Sequence, residues 1–172
     1  MAVRWLVYPR SQRPRDLVYR IAEVFKAQES RIGTPPNKPQ SKTVLNAVRE
    51  GLQKLGFEVE QGKNKVNVPI LFGENGRVVK SFQVDAWHRE EGAILEVEAG
   101  VAVDARKVYQ DLFEAVAMPE VRFLCIAVQN AYHPPRREKP IDDFERTRSI
   151  LDALLESRRL ELPLETVMLL GY

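Results

Sequence analysis

Three acidic residues stand close together in the middle of the sequence, and their types and spacing are suited to metal chemistry. Asp85 is followed, after ten intervening residues, by Glu96 and Glu98. Side chains alternate along a β-strand, so Glu96 and Glu98 point to the same face if they lie on one. Carboxylate oxygens are the ligands that Mg²⁺ and Mn²⁺ prefer. Three such groups repel one another unless they are protonated or bound to a cation. The pattern alone suits a metal site and a solvated sheet face that carries acids equally well.

The segments that carry these acids predict a β-hairpin. Residues 77–88 alternate between polar and apolar side chains, and we expect Phe82, Val84 and Ala86 to share one face of a single strand. Residues 93–99 form the expected partner strand. The connection between them is short and charged, as is typical of a tight turn.

The hairpin register decides which acid faces which. A two-residue turn at 90–91 places Asp85 opposite Glu96, whereas a turn at 91–92 places Asp85 opposite Glu98. Both registers bring the three carboxylates into one cross-strand neighbourhood, with Cβ atoms roughly 5–7 Å apart. The cluster is therefore predicted whichever register forms.

The rest of the chain predicts alternating helices and strands, which together favour an α/β fold with a mixed sheet flanked by helices. The continuous apolar run over 121–129 is typical of a central strand covered on both faces. The other predicted elements are strands at 3–8, 57–60, 66–72 and 162–170, a helix opened by Pro14, a helix capped by Ser41 and ended by Gly56, a helix over 102–117, and a helix from Asp142 to Arg159.

Composition predicts one globular domain over residues 1–172. The chain is 44% hydrophobic and 29% charged, which is too apolar for a disordered protein. A single cysteine, Cys125, excludes an internal disulfide. No long uncharged apolar segment predicts a membrane span, and we expect a cytoplasmic protein.

The charge is unevenly distributed along the chain. Residues 1–40 hold eight Lys and Arg against three acids, a net charge of +5, so the remainder has 18 minus 21, or −3. A basic N-terminal arm on a mildly acidic body suits a polyanion such as nucleic acid, and suits a solvated helix face almost as well. The candidate nucleic-acid-binding residues are Arg10, Arg13, Arg15, Arg136 and Arg137.

The acidic hairpin resembles the metal site of the PD-(D/E)XK nuclease superfamily, and the order of elements is similar to its restriction-endonuclease-like fold. Four segments are more narrowly similar to the BamHI/BglII/BstYI group of type II restriction endonucleases. These segments are 94–100, 109–113, 122–128 and 162–171. The resemblance implies a Mg²⁺- or Mn²⁺-dependent DNA endonuclease that acts as a homodimer, with one active site for each DNA strand.

The same resemblance implies roles for individual residues. Asp85 and Glu96 would hold the metal, Glu98 would orient or deprotonate the attacking water, and Asn67 would supply a further ligand. The sequence departs from the superfamily pattern at two points. Glu98 stands where a lysine is usual, which the narrower group tolerates, and Val84 rather than proline precedes Asp85.

Other interpretations stay open. Glu50 is a second candidate for the further ligand, but its helical position points to solvent. A nuclease-fold protein that binds nucleic acid or a partner without cutting is the alternative function, because the usual lysine is missing. An acid-faced metabolic α/β protein is a third reading, although the chain lacks a glycine-rich phosphate loop.

Overall fold

The computed structural model describes residues 2–34, 37–100, 105–134, 139–157 and 160–172. Helices and strands alternate within these residues, as the sequence predicts. The strands are β1 (Arg4–Tyr8), β2 (Glu58–Val59), β3 (Val66–Phe72), β4 (Val78–Val84), β5 (Ala86–His88), β6 (Ala93–Val97), β7 (Phe123–Val128) and β8 (Thr166–Gly171). The α-helices are α1 (Asp16–Lys26), α2 (Glu29–Ile32), α3 (Ser41–Lys54), α4 (Arg106–Ala117) and α5 (Asp143–Leu151), the last continuing as a π-helical turn over Asp152–Glu156.

Six strands form one mixed sheet in the order β1-β8-β7-β6-β5-β2. Strands β6, β7 and β8 are parallel, and β1, β5 and β2 run antiparallel to their neighbours. All six residues of β7 are buried, because β7 lies between two strands and is covered on both faces. The prediction of an α/β fold with a mixed sheet flanked by helices is confirmed.

Two apolar clusters cover the two faces of this sheet. The α1–α3 face buries Val18, Ile21 and Val48 against alternate sheet residues such as Leu95. The α4–α5 face takes the other set of side chains. Its members include Val108 and Leu112 from α4, Phe144 and Leu151 from α5, and Ile94, Leu124, Ile126 and Leu169 from the sheet. Successive side chains of a strand point to opposite faces, so each central strand contributes alternate residues to each of the two cores.

Strands β3 and β4 form a separate two-stranded ribbon. Its base packs on the α4–α5 face through Val66, Val68 and Val84. The outer part of the ribbon exposes apolar side chains, including Leu71 and Val79. The ribbon is therefore attached to the core at one end only.

Several predicted helix boundaries need correction. Helix α1 begins at Asp16 rather than at Pro14, since Arg15 still has an extended backbone. The prediction that Ser41 caps α3 is wrong, because Gln40 is the extended residue before the helix and Ser41 is already helical. Gly56 follows α3 with φ +102°, a left-handed conformation that favours glycine, so the predicted end is confirmed.

The basic N-terminal region lies within the fold. Strand β1 pairs with β8 at the edge of the sheet, and α1 buries Leu17, Ile21 and Phe25 on the α1–α3 face. The short helix α2 follows and was not predicted. Among the described residues no helix is both long and apolar enough to cross a membrane.

Candidate active site

Asp85 lies at a break between two strands. Strand β4 ends at Val84 and β5 begins at Ala86, so the predicted continuous strand over 77–88 is interrupted. Phe82 and Val84 pack on the α4–α5 face, whereas Ala86 packs on the α1–α3 face. The prediction that these three side chains share one face is therefore wrong. The chain leaves the ribbon at Asp85 and enters the central sheet, which changes the alternation.

Hydrogen bonds fix both ends of this break. The Asp85 carboxylate Oδ2 accepts a hydrogen bond from the backbone amide of Val97, 2.8 Å away on the partner strand. The backbone carbonyl of Asp85 accepts another from the amide of Glu60, also at 2.8 Å. Asp85 is thus held between β2 and β6 by the backbone, with its side chain directed toward β6.

The observed register is the first of the two predicted. Strand β5 pairs with β6 through Ala86–Leu95, Trp87–Ile94 and His88–Ala93, which puts the turn at 90–91. Extending this pairing by one residue places Asp85 opposite Glu96. The amide of Gly92 closes the turn on the carbonyl of Arg89 at 3.1 Å. A short, closed turn therefore determines which acid faces Asp85.

Glu96 is the most deeply buried acid of the hairpin. Burial raises the pKa of its carboxyl well above the usual range, and the charges of Asp85, Asp111 and Glu98 raise it further. A hydrogen bond from the backbone amide of Asp85 opposes this shift. Burial likewise raises the pKa of Asp85, against the Val97 hydrogen bond that lowers it. A cation bound between these groups would relieve both penalties.

Glu98 follows β6 and is fixed through its backbone. Its amide donates to the carbonyl of Ala127 on β7 at 2.8 Å, and its carbonyl accepts from the Tyr172 hydroxyl at 2.9 Å. Its side chain is 17% exposed, and the Nζ of Lys107 lies 3.7 Å from Oε1. Burial raises the pKa of Glu98 and the Lys107 charge lowers it. Glu98 is thus an acid at the rim of the cluster with a cation beside it.

Helix α4 supplies two groups that the sequence analysis missed. Lys107 and Asp111 lie one turn apart beside the buried stripe of Val108 and Leu112, so they face the sheet near the acids of β6. Asp111 is only 6% exposed and its Oδ2 has no hydrogen-bond partner. Burial raises its pKa to about 8, and the charge of Glu98 contributes. The sequence signal that could have identified Asp111 was an aspartate directly beside the apolar stripe of a predicted helix.

The donor set fits a divalent cation. Asp85, Glu96, Glu98 and Asp111 offer hard oxygen ligands, the charges of the other three raise the pKa of Glu96, and the buried Oδ2 of Asp111 lacks a partner. In the described parts of the chain, no three His, Cys, Asp or Glu side chains are already arranged to hold a metal. These four acids therefore suit a cation by residue type and charge.

The two candidates for a further ligand each have another polar partner. Asn67 is exposed on the ribbon, where its amide nitrogen donates to the carbonyl of Lys65 at 3.4 Å. Its role as a ligand stays a prediction. The Glu50 side chain is 82% exposed and pairs with Lys54 on the surface of α3, as its helical position indicated.

The predicted nucleic-acid-binding arginines of the N-terminal region lie at the other end of the sheet. Arg15 pairs with Glu91 in the hairpin turn at 2.6 Å. Arg13 and Arg15 line one crevice on the surface. The turn and Glu98 are separated by the length of β6, about 20 Å at the usual rise of a strand. Arg10 pairs with Asp152. Their DNA contacts stay a prediction, and that for Arg136 and Arg137 falls outside the described residues.

Comparisons with known proteins identify the fold. A crystal structure of the restriction endonuclease BglII complexed with a DNA 16-mer is similar over 99% of this chain and 78% of its own, with a TM-score of 0.56 and 14% sequence identity. The structure of free BglII is similar over 99% and 79%, with a TM-score of 0.50 and 12% identity. No protein-family model and no curated protein matches the sequence. The fold is restriction-endonuclease-like.

Proposed function

We propose that this protein is a metal-dependent endonuclease that hydrolyses phosphodiester bonds in DNA. The observation that carries the proposal is the register of the acidic hairpin, in which Asp85 lies opposite Glu96 and Glu98 follows two residues later on the same strand. The restriction-endonuclease-like fold supports it. So does the BglII complex, in which a protein of similar fold is bound to DNA.

In this proposal Asp85 and Glu96 hold a Mg²⁺ or Mn²⁺ ion. When bound, such an ion neutralises charge on the phosphate and makes water a better nucleophile. The chain contributes the positions of the two carboxylates. The Val97 amide orients Asp85, and the Asp85 amide orients Glu96, so each ligand is held by the backbone of the other strand.

Glu98 and Lys107 would manage the water and the phosphate. Glu98 would accept a proton from the attacking water as the water oxygen bonds to phosphorus. The bond from phosphorus to the leaving oxygen would break, and that oxygen would take a proton from solvent. Strand β6 lacks the usual lysine, but Lys107 reaches the same region from α4, with Nζ at 3.7 Å from the Glu98 carboxylate. Burial raises the pKa of the Glu98 carboxyl, and the positive charge of Lys107 opposes that rise and so favours the ionised form.

A non-catalytic nuclease-fold protein that binds nucleic acid is the second candidate. It is favoured by Glu98, which places a carboxylate where the superfamily pattern has a lysine. Both candidates predict DNA binding, and only the first predicts cleavage. They are therefore separated by activity alone.

The deciding experiment incubates the protein with long genomic DNA, supercoiled plasmid and single-stranded DNA, each with Mg²⁺, Mn²⁺ or chelator. Genomic DNA is included because it contains most short recognition sequences. We expect metal-dependent cleavage that is lost in Asp85→Asn and retained in Glu50→Gln, a matched change of an exposed acid. Intact DNA on all three substrates, together with measurable binding, would instead support the non-catalytic candidate.

For the homodimer, we propose that two chains place one site on each strand of a duplex. The support is the need to cut two antiparallel strands with one carboxylate cluster per chain. A two-fold arrangement uses the same patch on both subunits.

A further inference from the structure

A polar cavity opens at the same edge of the sheet as the acidic cluster, where β6 and β7 end. Its volume is about 680 Å³. Ala99 follows Glu98 directly in the chain, so both lie at this edge. The cavity opens on the α3 side of the edge, and Glu98 pairs with Lys107 on the α4 side. The residues that line it are Lys38, Pro39, Gln40, Ser41, Lys42, Ala99, Gln129, Tyr132 and His133.

The cavity is positively charged. Lys38 and Lys42 are exposed and contribute two cations, and no carboxylate is among its described lining residues. Neither lysine pairs with an acid in the described part of the chain, whereas Lys26 and Lys54 on α1 and α3 pair with glutamates of their own helices. Two unneutralised cations at one opening attract an anion.

The wall of the cavity is built by a buried side chain. Gln129 is 4% exposed, and its amide nitrogen donates to the carbonyl of Pro39 at 2.8 Å. This bond ties the segment that carries Lys38 to the end of β7. The first turn of α3, which carries Lys42, has no side-chain cap, so its positive end adds to the lysine charges. Both lysines are therefore held at fixed points around one opening.

We infer that this cavity binds a backbone phosphate of DNA, close to the phosphate that is cut, with Lys38 and Lys42 as the cations that recognise it. The inference rests on the proposed function for its ligand. A DNA strand presents a row of phosphates. When the phosphate that is cut lies at Glu98, the neighbouring phosphates of that strand lie along the same edge of the sheet. The cavity at Ala99 is positioned to receive one of them.

This location differs from the arginine-rich N-terminal region. Arg10 and Arg15 are neutralised by Asp152 and Glu91, and they lie at the opposite end of the parallel strands. Lys38 and Lys42 lie at the end that carries the acids. Substitutions therefore distinguish the two sets. If the cavity binds DNA, loss of Lys38 and Lys42 weakens binding more than loss of the N-terminal arginines.

The test measures DNA binding by fluorescence anisotropy over a series of salt concentrations, in an Asp85→Asn background so that cleavage does not interfere. Lys38→Ala/Lys42→Ala is compared with Lys26→Ala/Lys54→Ala, which removes the same charge from the α1–α3 surface. We expect the first pair to weaken binding about 10- to 100-fold and to lower the slope of log K against log salt by about 1, as for one lost phosphate contact. The second pair should change both values little.

Equal losses from the two lysine pairs would overturn the inference, since they would show a diffuse effect of net charge. A larger loss from Arg10→Ala/Arg13→Ala than from the cavity pair would also overturn it. Competition with DNA by inorganic phosphate at micromolar concentration would also overturn the inference, because it would show that the cavity is a site for free phosphate. The assay does not depend on cleavage, so failure of the nuclease proposal is detected separately, by intact DNA with wild-type protein and metal.

Discussion

The Asp85 carboxylate accepts a hydrogen bond from the backbone amide of Val97 at 2.8 Å. The acid that is proposed to hold a metal therefore also connects β6 to the break between β4 and β5. This bond separates two effects of substitution. Asparagine retains an oxygen that can accept from Val97, whereas alanine leaves a partly buried amide without a partner. A lost partner of this kind costs about 1–3 kcal/mol.

We therefore expect Asp85→Asn to lose cleavage while it stays folded. The loss should exceed the roughly 10- to 100-fold that is typical of an outer-shell change at a metal site. DNA binding should be unchanged or tighter, because one negative charge leaves a surface that faces phosphate. Asp85→Ala should lose activity and also unfold at lower denaturant. Equal stability of the two variants would contradict the role of the Val97 bond.

Metal binding should stabilise the wild-type protein against heat. A ligand at 100 times its Kd adds about 2.7 kcal/mol, which is several degrees in Tm for a chain of this size. Mg²⁺ or Mn²⁺ should therefore raise Tm, and chelator should reverse the rise. Glu96→Gln should abolish the shift, whereas Glu98→Gln should retain most of it, because Glu98 is assigned to the water. The same shift in both variants would contradict that division.

The stability of the metal-free protein should depend on pH through Asp111. Its pKa is raised from 3.8 to about 8, so the folded state holds a proton between these values that the unfolded state has released. Stability must then fall as pH rises from about 4 to about 8. Asp111→Asn should make this dependence less steep, because Glu96 and Asp85 also have raised pKa values, and should raise Tm at pH 8. Asp152→Asn is a control at a half-exposed acid on α5's extension.

Removal of Lys107 should change the pH dependence of cleavage. The Lys107 charge lowers the pKa of Glu98, so Lys107→Gln should raise that pKa and move the acidic limb of the kcat/KM profile to higher pH. Lys107→Arg keeps the charge and should restore the wild-type profile. A uniform fall in rate at every pH, with no movement of the limb, would indicate that Lys107 has only a structural role.

Homodimerisation is tested by mass. Light scattering should return about 39 kDa, twice the 19.7 kDa of one chain. The measurement should be made with and without DNA, since the duplex itself can bring two chains together. A mass near that of one chain under both conditions would contradict the dimer and require another route to the second strand.

Local patterns were sufficient to predict the acidic hairpin. A closed turn at 90–91 and the alternation of β6 depend on neighbouring residues alone, so the sequence narrowed the register to two choices. The break at Asp85 was not predictable in the same way. Polar and apolar residues alternate without interruption over 77–88. The first half of this segment leaves the central sheet because β4 pairs with β3.

The remaining groups of the site come from tertiary arrangement. Which helix covers the end of β6 depends on how α4 packs, so Lys107 and Asp111 were not identified. The end of the sheet on which a basic residue falls depends on strand direction. For this reason the sequence did not reveal that Arg15, a predicted nucleic-acid-binding residue, lies a whole strand away from the acids.

The attachment of the β3–β4 ribbon at its base has a consequence for how such a protein can vary. Val66 pairs with Val84 at that base, and the far end exposes Leu71 and Val79. Adding or deleting one residue pair on both strands beyond Val68 leaves the residue opposite Glu96 unchanged. The length and tip of the ribbon can therefore change while the pairing of β5 with β6, and with it the spacing of the acids, stays constant.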